Sequence, residues 1–321
     1  MKNIILRFAE CECNGNLLRI QSYPAKRVFF YGKYGDKDYS PITNKKFMKT
    51  NKNNLKYEFS IFRPGGNDTL LIKGILRKTL RKSINDTAMS KYPNIEQVGF
   101  YSYSNNAKLG RLEMAGGEFC GNALRSLAYL ILDGKKGDLQ FKVSGVNRIL
   151  KAGVNKSNSA FAQIPILVNS PNVKKLKDNL WIVDLEGISH LITLSSKELG
   201  ENEAKKIAQK LLKKTGLLDS KPASGVMFVR KGKLPVDFIC EPVVWVRDIC
   251  TFFYETACAS GTAAIGIWNS LQVKNQRIIL KIQQPSGYIL TAEIQIKDSL
   301  VQNLYIEGPI EILNKKGFLT L

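Results

Sequence analysis

The sequence predicts an α/β (α+β) fold made of two pseudo-symmetric domains, each a curved sheet wrapped around one central helix. The main support comes from two short segments, Glu118 to Arg125 and Glu255 to Thr262. Each places a cysteine just before an apolar run with helical spacing, and strand-like stretches separated by turns surround both. This repeated plan favours two related domains with a functional cleft between them.

Cys120 and Cys258 are each expected at the N-terminus of a helix. Unpaired N–H groups and the positive end of the helix dipole stabilise a thiolate there, and they can also hold an anion. A small acid bound between the two helix ends would have one sulfur on each face of the carbon next to its carboxylate. Either segment alone also fits a buried, unreactive cysteine beside a turn. Because the pattern occurs twice, it favours a two-base racemase site.

These segments resemble the diaminopimelate epimerase family, which are cofactor-independent racemases and epimerases with a cysteine pair. The resemblance covers about residues 56 to 321. Its anchors, in order, are Gly66-Asn67-Asp68, Cys120-Gly121-Asn122 and Ala257-Cys258 with Gly261-Thr262. The longer match from Met114 to Ala123 is most similar to histidine racemases of metallophore pathways. The resemblance implies two diaminopimelate-epimerase-like domains with the active site in the cleft.

The resemblance also implies roles for individual residues. Cys120 and Cys258 are the expected catalytic bases, and no metal or other cofactor is expected. The expected substrate-binding residues are Asn67, Gly121, Asn122, Ala259, Ser260, Gly261 and Thr262. His190, the one histidine of the chain, is expected near the cleft in a supporting place.

Three segments are expected along the chain. Residues 1–55 form an N-terminal extension of unknown role, with strand-like pieces at Leu17 to Ile20 and Arg27 to Tyr31. Residues 56–167 form the first epimerase-like domain and residues 168–309 the second. The resemblance implies that residues 310–321 cross back to complete the first domain. Gly308-Pro309 predicts a turn before that last strand. The three predicted helices cover about 121–133, 202–215 and 260–272.

The formal net charge of +21 is large, but the basic residues are scattered along the chain in short clusters. This favours a solvated lysine-rich surface over a nucleic-acid-binding face. No apolar run approaches the roughly 20 residues of a membrane-spanning helix. Of the six cysteines, Cys11 and Cys13 lie two positions apart and the other four are dispersed, which is typical of reduced thiols, so a cytoplasmic protein is expected. A free amino acid is the expected partner, with neither nucleic acid nor membrane, and a homodimer stays open.

The expected reaction is the interconversion of L-histidine and D-histidine. Segments that hold the distal end of diaminopimelate in that family are replaced here by apolar and aromatic residues. Candidate pocket walls are Met114, Ile188, Phe252, Phe253 and Tyr254, and candidate hydrogen-bond acceptors are Glu113, Glu118 and Glu255. The alternatives are a diaminopimelate epimerase, a broad-specificity amino-acid racemase, or a basic binding protein on the same fold.

Overall fold

The computed structural model describes residues 8–13, 16–21, 55–167, 172–271 and 276–320. The chain separates into two compact units, Met1–Asn53 and Asn54–Leu321. In the first unit, an antiparallel hairpin joins β1 (Phe8–Cys13) to β2 (Asn16–Gln21). The predicted strand at Leu17 to Ile20 falls within β2, whereas the one at Arg27 to Tyr31 lies outside the described residues.

The second unit is a mixed α/β structure dominated by strands. Its helices are α1 (Lys78–Lys91), α2 (Gly121–Leu132), α3 (Gly200–Lys214), α4 (Leu217–Ser220) and α5 (Ala259–Asn269). A 3-10 turn spans Arg247–Ile249. Strands before residue 168 are β3 (Lys56–Pro64), β4 (Asp68–Lys73), β5 (Ile95–Ser104), β6 (Leu109–Met114), β7 (Gly137–Val143), β8 (Ile149–Lys156) and β9 (Ser159–Gln163). Later strands are β10 (Val173–Lys177), β11 (Leu180–Leu185), β12 (Ile188–Leu194), β13 (Ala223–Lys231), β14 (Phe238–Val246), β15 (Thr251–Tyr254), β16 (Gln276–Gln283), β17 (Ile289–Lys297) and β18 (Leu300–Thr320).

The strands of the first half form a closed circuit around α2. Strands β3 to β9 pair in sequence order, and β18 pairs with both β3 and β9. The first nine residues of α2 are buried, as expected for a helix surrounded by sheet. Its fully buried Arg125 donates from Nε to Ala160 O and from a guanidinium nitrogen to Pro309 O, at 2.9 and 3.1 Å. These bonds fix the helix to β9 and β18.

The second half wraps its sheet around α5 in the same way. The strand order runs β10, β11, β12, β13, β14, β16, β17 and β18, and β15 adds to β14. The first nine residues of α5 are also buried. On the outside, Ala204, Ala208 and Leu212 of α3 pack on a separate apolar cluster that includes Val226 and Phe228. The two buried helices are therefore the centres of the two halves, and the α/β fold prediction is confirmed.

The predicted turn at Gly308-Pro309 is wrong, because β18 continues through it. Gly308 pairs with Ala160 and Pro309 with Ser159 in β9, and from Ile310 onward the strand pairs with β3. Proline lacks an N–H donor and tolerates a strand only where none is required. Here it stands where β18 changes partners. The C-terminal part of β18 consequently lies in the circuit of the first half.

The predicted helices at 121–133, 202–215 and 260–272 correspond to α2, α3 and α5. Helix α1 has no counterpart among the sequence predictions. Its buried residues are Ile84, Asn85 and Ala88 alone, so its apolar stripe is too narrow to produce a helical pattern. Among the described residues, none of the helices has the length and apolar character needed to cross a membrane.

Candidate active site

The N-termini of α2 and α5 converge on one enclosed cavity. A methyl group at Gly121, the first residue of α2, would lie 2.9 Å from the Cβ of Ala259, the first residue of α5. Asn122 also donates from Nδ2 to Ala257 O at 2.9 Å, which joins the two helix starts directly. Glycine at 121 thus allows the close approach of two positive helix ends.

Cys120 and Cys258 occupy equivalent positions in this arrangement. Each is the N-cap of its helix and has an extended backbone conformation. Each Sγ accepts a hydrogen bond, at 3.3 Å, from the backbone N–H three residues later in the chain. Both side chains are buried and line the cavity. The helix-start position that the sequence predicts for the two cysteines is therefore confirmed.

Gln97 of β5 is the polar side chain that contacts the Cys120 sulfur. Cys120 Sγ donates to Gln97 Oε1 at 2.8 Å, and Gln97 Nε2 donates to Glu255 Oε1 at 3.0 Å. A carboxylate only accepts, so the amide NH₂ must face Glu255 and the amide oxygen must face the sulfur. In this state Cys120 is the protonated thiol.

Cys258 has a carboxylate and a hydroxyl beside it. Burial and the charge of Glu255 raise the pKa of its thiol, and its Sγ lies 3.5 Å from Ser260 Oγ. Ser260 Oγ is in turn 2.9 Å from His190 Nε2. Burial lowers the pKa of His190 to about 3, so this ring is neutral. His190 supports Ser260 from behind and does not line the cavity.

Burial raises the pKa of every acidic group around the two sulfurs. The pKa rises to about 7 for Glu118 and Glu255 and to about 8 for Glu96, where the charge of Glu255 adds to the effect. It also raises the pKa of both thiols, and the neighbouring Glu255 charge raises that of Cys258 further. The ligand-free site is therefore short of positive charge.

Unpaired hydrogen-bond acceptors also indicate that the site lacks positive charge. Asn85 Oδ1, Glu118 Oε2 and Glu255 Oε2 are buried and have no hydrogen-bond partner among the described residues. All three residues line the cavity, and none of the described residues that line it is a lysine, arginine or histidine. The described residues also contain no cluster of histidine, cysteine and acidic side chains suited to a metal ion. The cavity fits a ligand that brings N–H donors and positive charge.

The predicted site residues divide into those that reach the cavity and those behind it. Gly121, Asn122, Ala259 and Ser260 line it together with the two cysteines. Fully buried Asn67 lies behind Glu96, to which its Nδ2 donates at 2.7 Å. Gly261 and Thr262 stand behind Cys258, where Thr262 Oγ1 donates to the Cys258 carbonyl at 2.7 Å.

Of the candidate wall residues, Ile188 and Phe253 line the cavity. Phe252 instead packs edge-on against Trp245, and Tyr254 donates to Glu241. Met114 and Glu113 are also absent from the lining. The carboxylate of Glu113 turns outward and forms ion pairs with Arg81 and Arg111.

Sequence reasoning missed Asn85, Glu96 and Gln97, which line the cavity from α1 and β5. Glu96 accepts hydrogen bonds from Asn67 and Thr256, and so connects the two halves. The one available signal was a pair of polar residues, Glu96-Gln97, inside an otherwise strand-like run. Nothing in the polar segment that forms α1 marks Asn85.

The chain is similar to known proteins over most of its length. Residues 56–317 match the histidine racemase CntK N-terminal domain family. A histidine racemase of Fusobacterium nucleatum subsp. nucleatum is 30% identical over 80% of this chain and 94% of the relative. A histidine racemase of Staphylococcus aureus is 24% identical over 73% of this chain and 87% of the relative.

Two solved structures share the fold. A hydroxyproline epimerase from Agrobacterium vitis, with trans-4-hydroxy-L-proline bound, has a TM-score of 0.55 at 11% identity and covers 83% of this chain and 91% of its own. A methylitaconate-delta-isomerase has a TM-score of 0.51 at 14% identity, with 84% and 96% covered. These likenesses support the fold alone.

Together, the fold, the site and the relatives define an isomerase of the racemase and epimerase class. Within that class, the chain belongs to the histidine racemase CntK N-terminal domain family.

Proposed function

We propose that the protein interconverts L-histidine and D-histidine by a two-base mechanism, with Cys120 and Cys258 acting on opposite faces of the α-carbon. The observation that carries the proposal is the placement of two sulfurs at the converging starts of two helices, on one enclosed cavity. The names of the relatives support histidine as the substrate.

The two helix starts would bind the substrate carboxylate. The first N–H groups of a helix have no partner within it, so they point out of its end. Gly121 and Asn122 of α2 and Ala259 and Ser260 of α5 line the cavity at these positions. Such donors hold the carboxylate and stabilise the negative charge that grows on it as the α-proton leaves.

A two-base reaction needs one thiolate and one thiol. Cys258 can pass its proton to Glu255, which leaves a thiolate beside a neutral carboxyl group. Cys120 keeps its proton, because its neighbour is the amide oxygen of Gln97. The Cys258 thiolate then takes the α-proton from one face while Cys120 delivers its own proton to the other face. The product has the opposite configuration, and the reverse reaction exchanges the roles of the two sulfurs.

The charge of the cavity favours histidine over diaminopimelate. Glu96, Glu118 and Glu255 face the ligand without a cationic side chain in the lining. An amino acid with an ammonium group and a basic ring supplies the missing charge. The distal carboxylate of diaminopimelate would be buried among like charges without a partner, which costs on the order of several kcal/mol.

Chiral chromatography on histidine, diaminopimelate, lysine and phenylalanine, side by side, tests the proposal. We expect both histidine enantiomers to reach a racemic mixture well before the other substrates react. The double variant Cys120→Ala, Cys258→Ala controls for contaminating racemases. A clear preference for diaminopimelate would contradict the substrate, and equal rates on all four would indicate a broad-specificity racemase. No α-proton exchange in heavy water with any amino acid would favour a binding protein.

A further inference from the structure

We infer that Asn85 and Glu118 are the residues that select the side-chain ring of the substrate. The ring is bound as an imidazolium, and each of the two residues accepts a hydrogen bond from one of its N–H groups. The inference rests on the proposed function, since it takes histidine as the substrate. It concerns the part of the cavity beyond the two sulfurs, where the side chain of the amino acid would lie.

Two unsatisfied acceptors are the first observation. Asn85 and Glu118 are 1% and 8% exposed, and within the described part of the chain Asn85 Oδ1 and Glu118 Oε2 have no hydrogen-bond partner. A buried acceptor left unpaired costs about 1–3 kcal/mol. Both residues line the same cavity, so one ligand can satisfy both atoms.

Asn85 is held with its oxygen available. Its Nδ2 is directed at Asp86 Oδ1 and at the Met89 sulfur, at 3.3 and 3.5 Å. Met89 follows one helical turn later on the same face of α1 and also lines the cavity. The helix therefore presents an amide oxygen and an apolar thioether together, which suits the edge and the face of a flat ring.

The backbone of Glu118 is also fixed. Its backbone carbonyl accepts a hydrogen bond from Ser144 Oγ at 2.6 Å. A methyl group at Gly116 would lie 2.6 Å from Glu118 Oε2 and 2.5 Å from Val246 Cγ1. Glycine at 116 therefore leaves room for this carboxylate against an apolar wall.

The chemistry of the two acceptors selects the charged ring. A neutral imidazole has one N–H donor and one lone pair, so one of its nitrogens would face an oxygen without a proton between them. An imidazolium has two N–H donors and satisfies both oxygens. Glu96, Glu255, Cys120 and Cys258 also face the cavity, with no cationic side chain in its lining. A ring that carries a proton brings the counter-charge that the site lacks.

A substrate analogue tests the charge of the ring in the wild-type enzyme. In 1,2,4-triazol-3-ylalanine the ring keeps the shape of imidazole but is neutral near pH 7. We expect its KM to exceed that of histidine about 10- to 100-fold, the effect of losing one charged hydrogen bond. Equal KM values would overturn the inference while leaving the histidine racemase activity intact.

Matched variants test the two residues. Glu118→Gln and Asn85→Leu should each raise KM for histidine about 10- to 100-fold with a smaller change in kcat, and should reduce the preference for histidine over triazolylalanine. Glu113→Gln and Ser83→Leu are the controls, since Glu113 turns outward and Ser83 is exposed on the same helix as Asn85. Asn85→Asp, which keeps an acceptor oxygen, should retain a KM near that of the wild type. Unchanged selectivity in folded Glu118→Gln and Asn85→Leu would refute the assignment.

The protonation state can also be observed directly. Histidine with ¹⁵N in its ring, bound to the Cys120→Ala, Cys258→Ala double variant, is not turned over. Its nitrogen spectrum should show two protonated ring nitrogens at a pH where free histidine shows mostly the neutral ring. One protonated and one unprotonated nitrogen would contradict the imidazolium. If the wild type racemises no histidine at all, the proposed function itself is wrong.

Discussion

Cys120 and Cys258 hold the same position on two similar helices, but the side chains that contact their sulfurs differ. Cys120 donates to the amide oxygen of Gln97, while burial and the charge of the neighbouring Glu255 carboxylate raise the pKa of Cys258, which also lies near the hydroxyl of Ser260. An amide oxygen cannot take up a proton near neutral pH, whereas a carboxylate can. The pseudo-symmetric scaffold thus makes two equal sulfur positions, and their neighbours make the two sulfurs unequal.

The helix bodies differ as well. Helix α2 buries the guanidinium of Arg125 under its first turns, where it also donates to Asn122 Oδ1 at 3.2 Å. Helix α5 buries small and apolar residues, with Thr262 bonded to the preceding turn. The first helix is therefore attached to its sheet by charged hydrogen bonds and the second mainly by packing. This difference shows that the same sulfur placement can be reached by two kinds of support.

The largest expected effect comes from removing either sulfur. Cys120→Ala and Cys258→Ala should each lower racemisation by about 10⁴-fold or more, because each face of the α-carbon has one base. Serine should fail at both positions, since its hydroxyl does not ionise near neutral pH. Chiral chromatography of histidine measures the loss, and circular dichroism checks the fold. Near-normal turnover in either alanine variant would remove the basis for comparing the two sulfurs.

The neighbours of the sulfurs should matter unequally. Glu255→Gln should lower kcat by about 10²- to 10⁴-fold, because no group is left to take the Cys258 proton, whereas Gln97→Leu should cost only about 10-fold. Below pH 7 both Glu255 and Cys258 are protonated, so kcat/KM of the wild type should rise with pH through about 7. In Glu255→Gln the rise should move to higher pH. Equal losses in the two variants would show that the sulfurs are equivalent.

The two kinds of helix support predict unequal losses of stability. Arg125→Met removes three hydrogen bonds of a buried guanidinium, to Ala160 O, Pro309 O and Asn122 Oδ1, so the free energy of unfolding should fall by about 3 kcal/mol or more. Thr262→Val in α5 removes one hydroxyl, which donates to Cys258 O and accepts from Gln284 Nε2, and should cost about 1–2 kcal/mol. Urea denaturation of both variants beside the wild type measures the difference. A smaller loss in Arg125→Met than in Thr262→Val would contradict this account of α2.

The smallest effect is expected at the outer neighbour of Cys258. Ser260→Ala removes the hydroxyl between His190 and the sulfur but keeps the backbone N–H of residue 260. Steady-state kinetics should show kcat reduced about 3- to 10-fold with KM for histidine little changed. His190→Gln should behave in the same way, since that ring acts through Ser260. A loss as large as that of Cys258→Ala would place the hydroxyl among the groups that move protons.

What the sequence predicts of this site follows from how local each feature is. The cysteines and the residues after them are recognisable because a helix start is set by neighbouring residues, and the structure places them there. Gln97 reaches the Cys120 sulfur, and Glu96 reaches the cavity, through strand pairing across the fold, which no sequence spacing encodes. Asn85 lies on α1, a helix too polar to be predicted. The continuity of β18 was not predicted for a similar reason. Pro309 interrupts the local strand pattern, although pairing with β9 accommodates it.

Deuterium labelling tests the central claim, that two thiol bases act on opposite faces, most directly. Wild-type enzyme is incubated with L-histidine in heavy water, and both enantiomers are separated and analysed by mass spectrometry early in the reaction. We predict α-deuterium in nearly all D-histidine formed and α-protium in the L-histidine that remains, because the base that takes the proton and the acid that supplies the new one are different sulfurs. Deuterium appearing equally in both enantiomers, or protium retained in the D-histidine product, would show a single base at work and contradict the account.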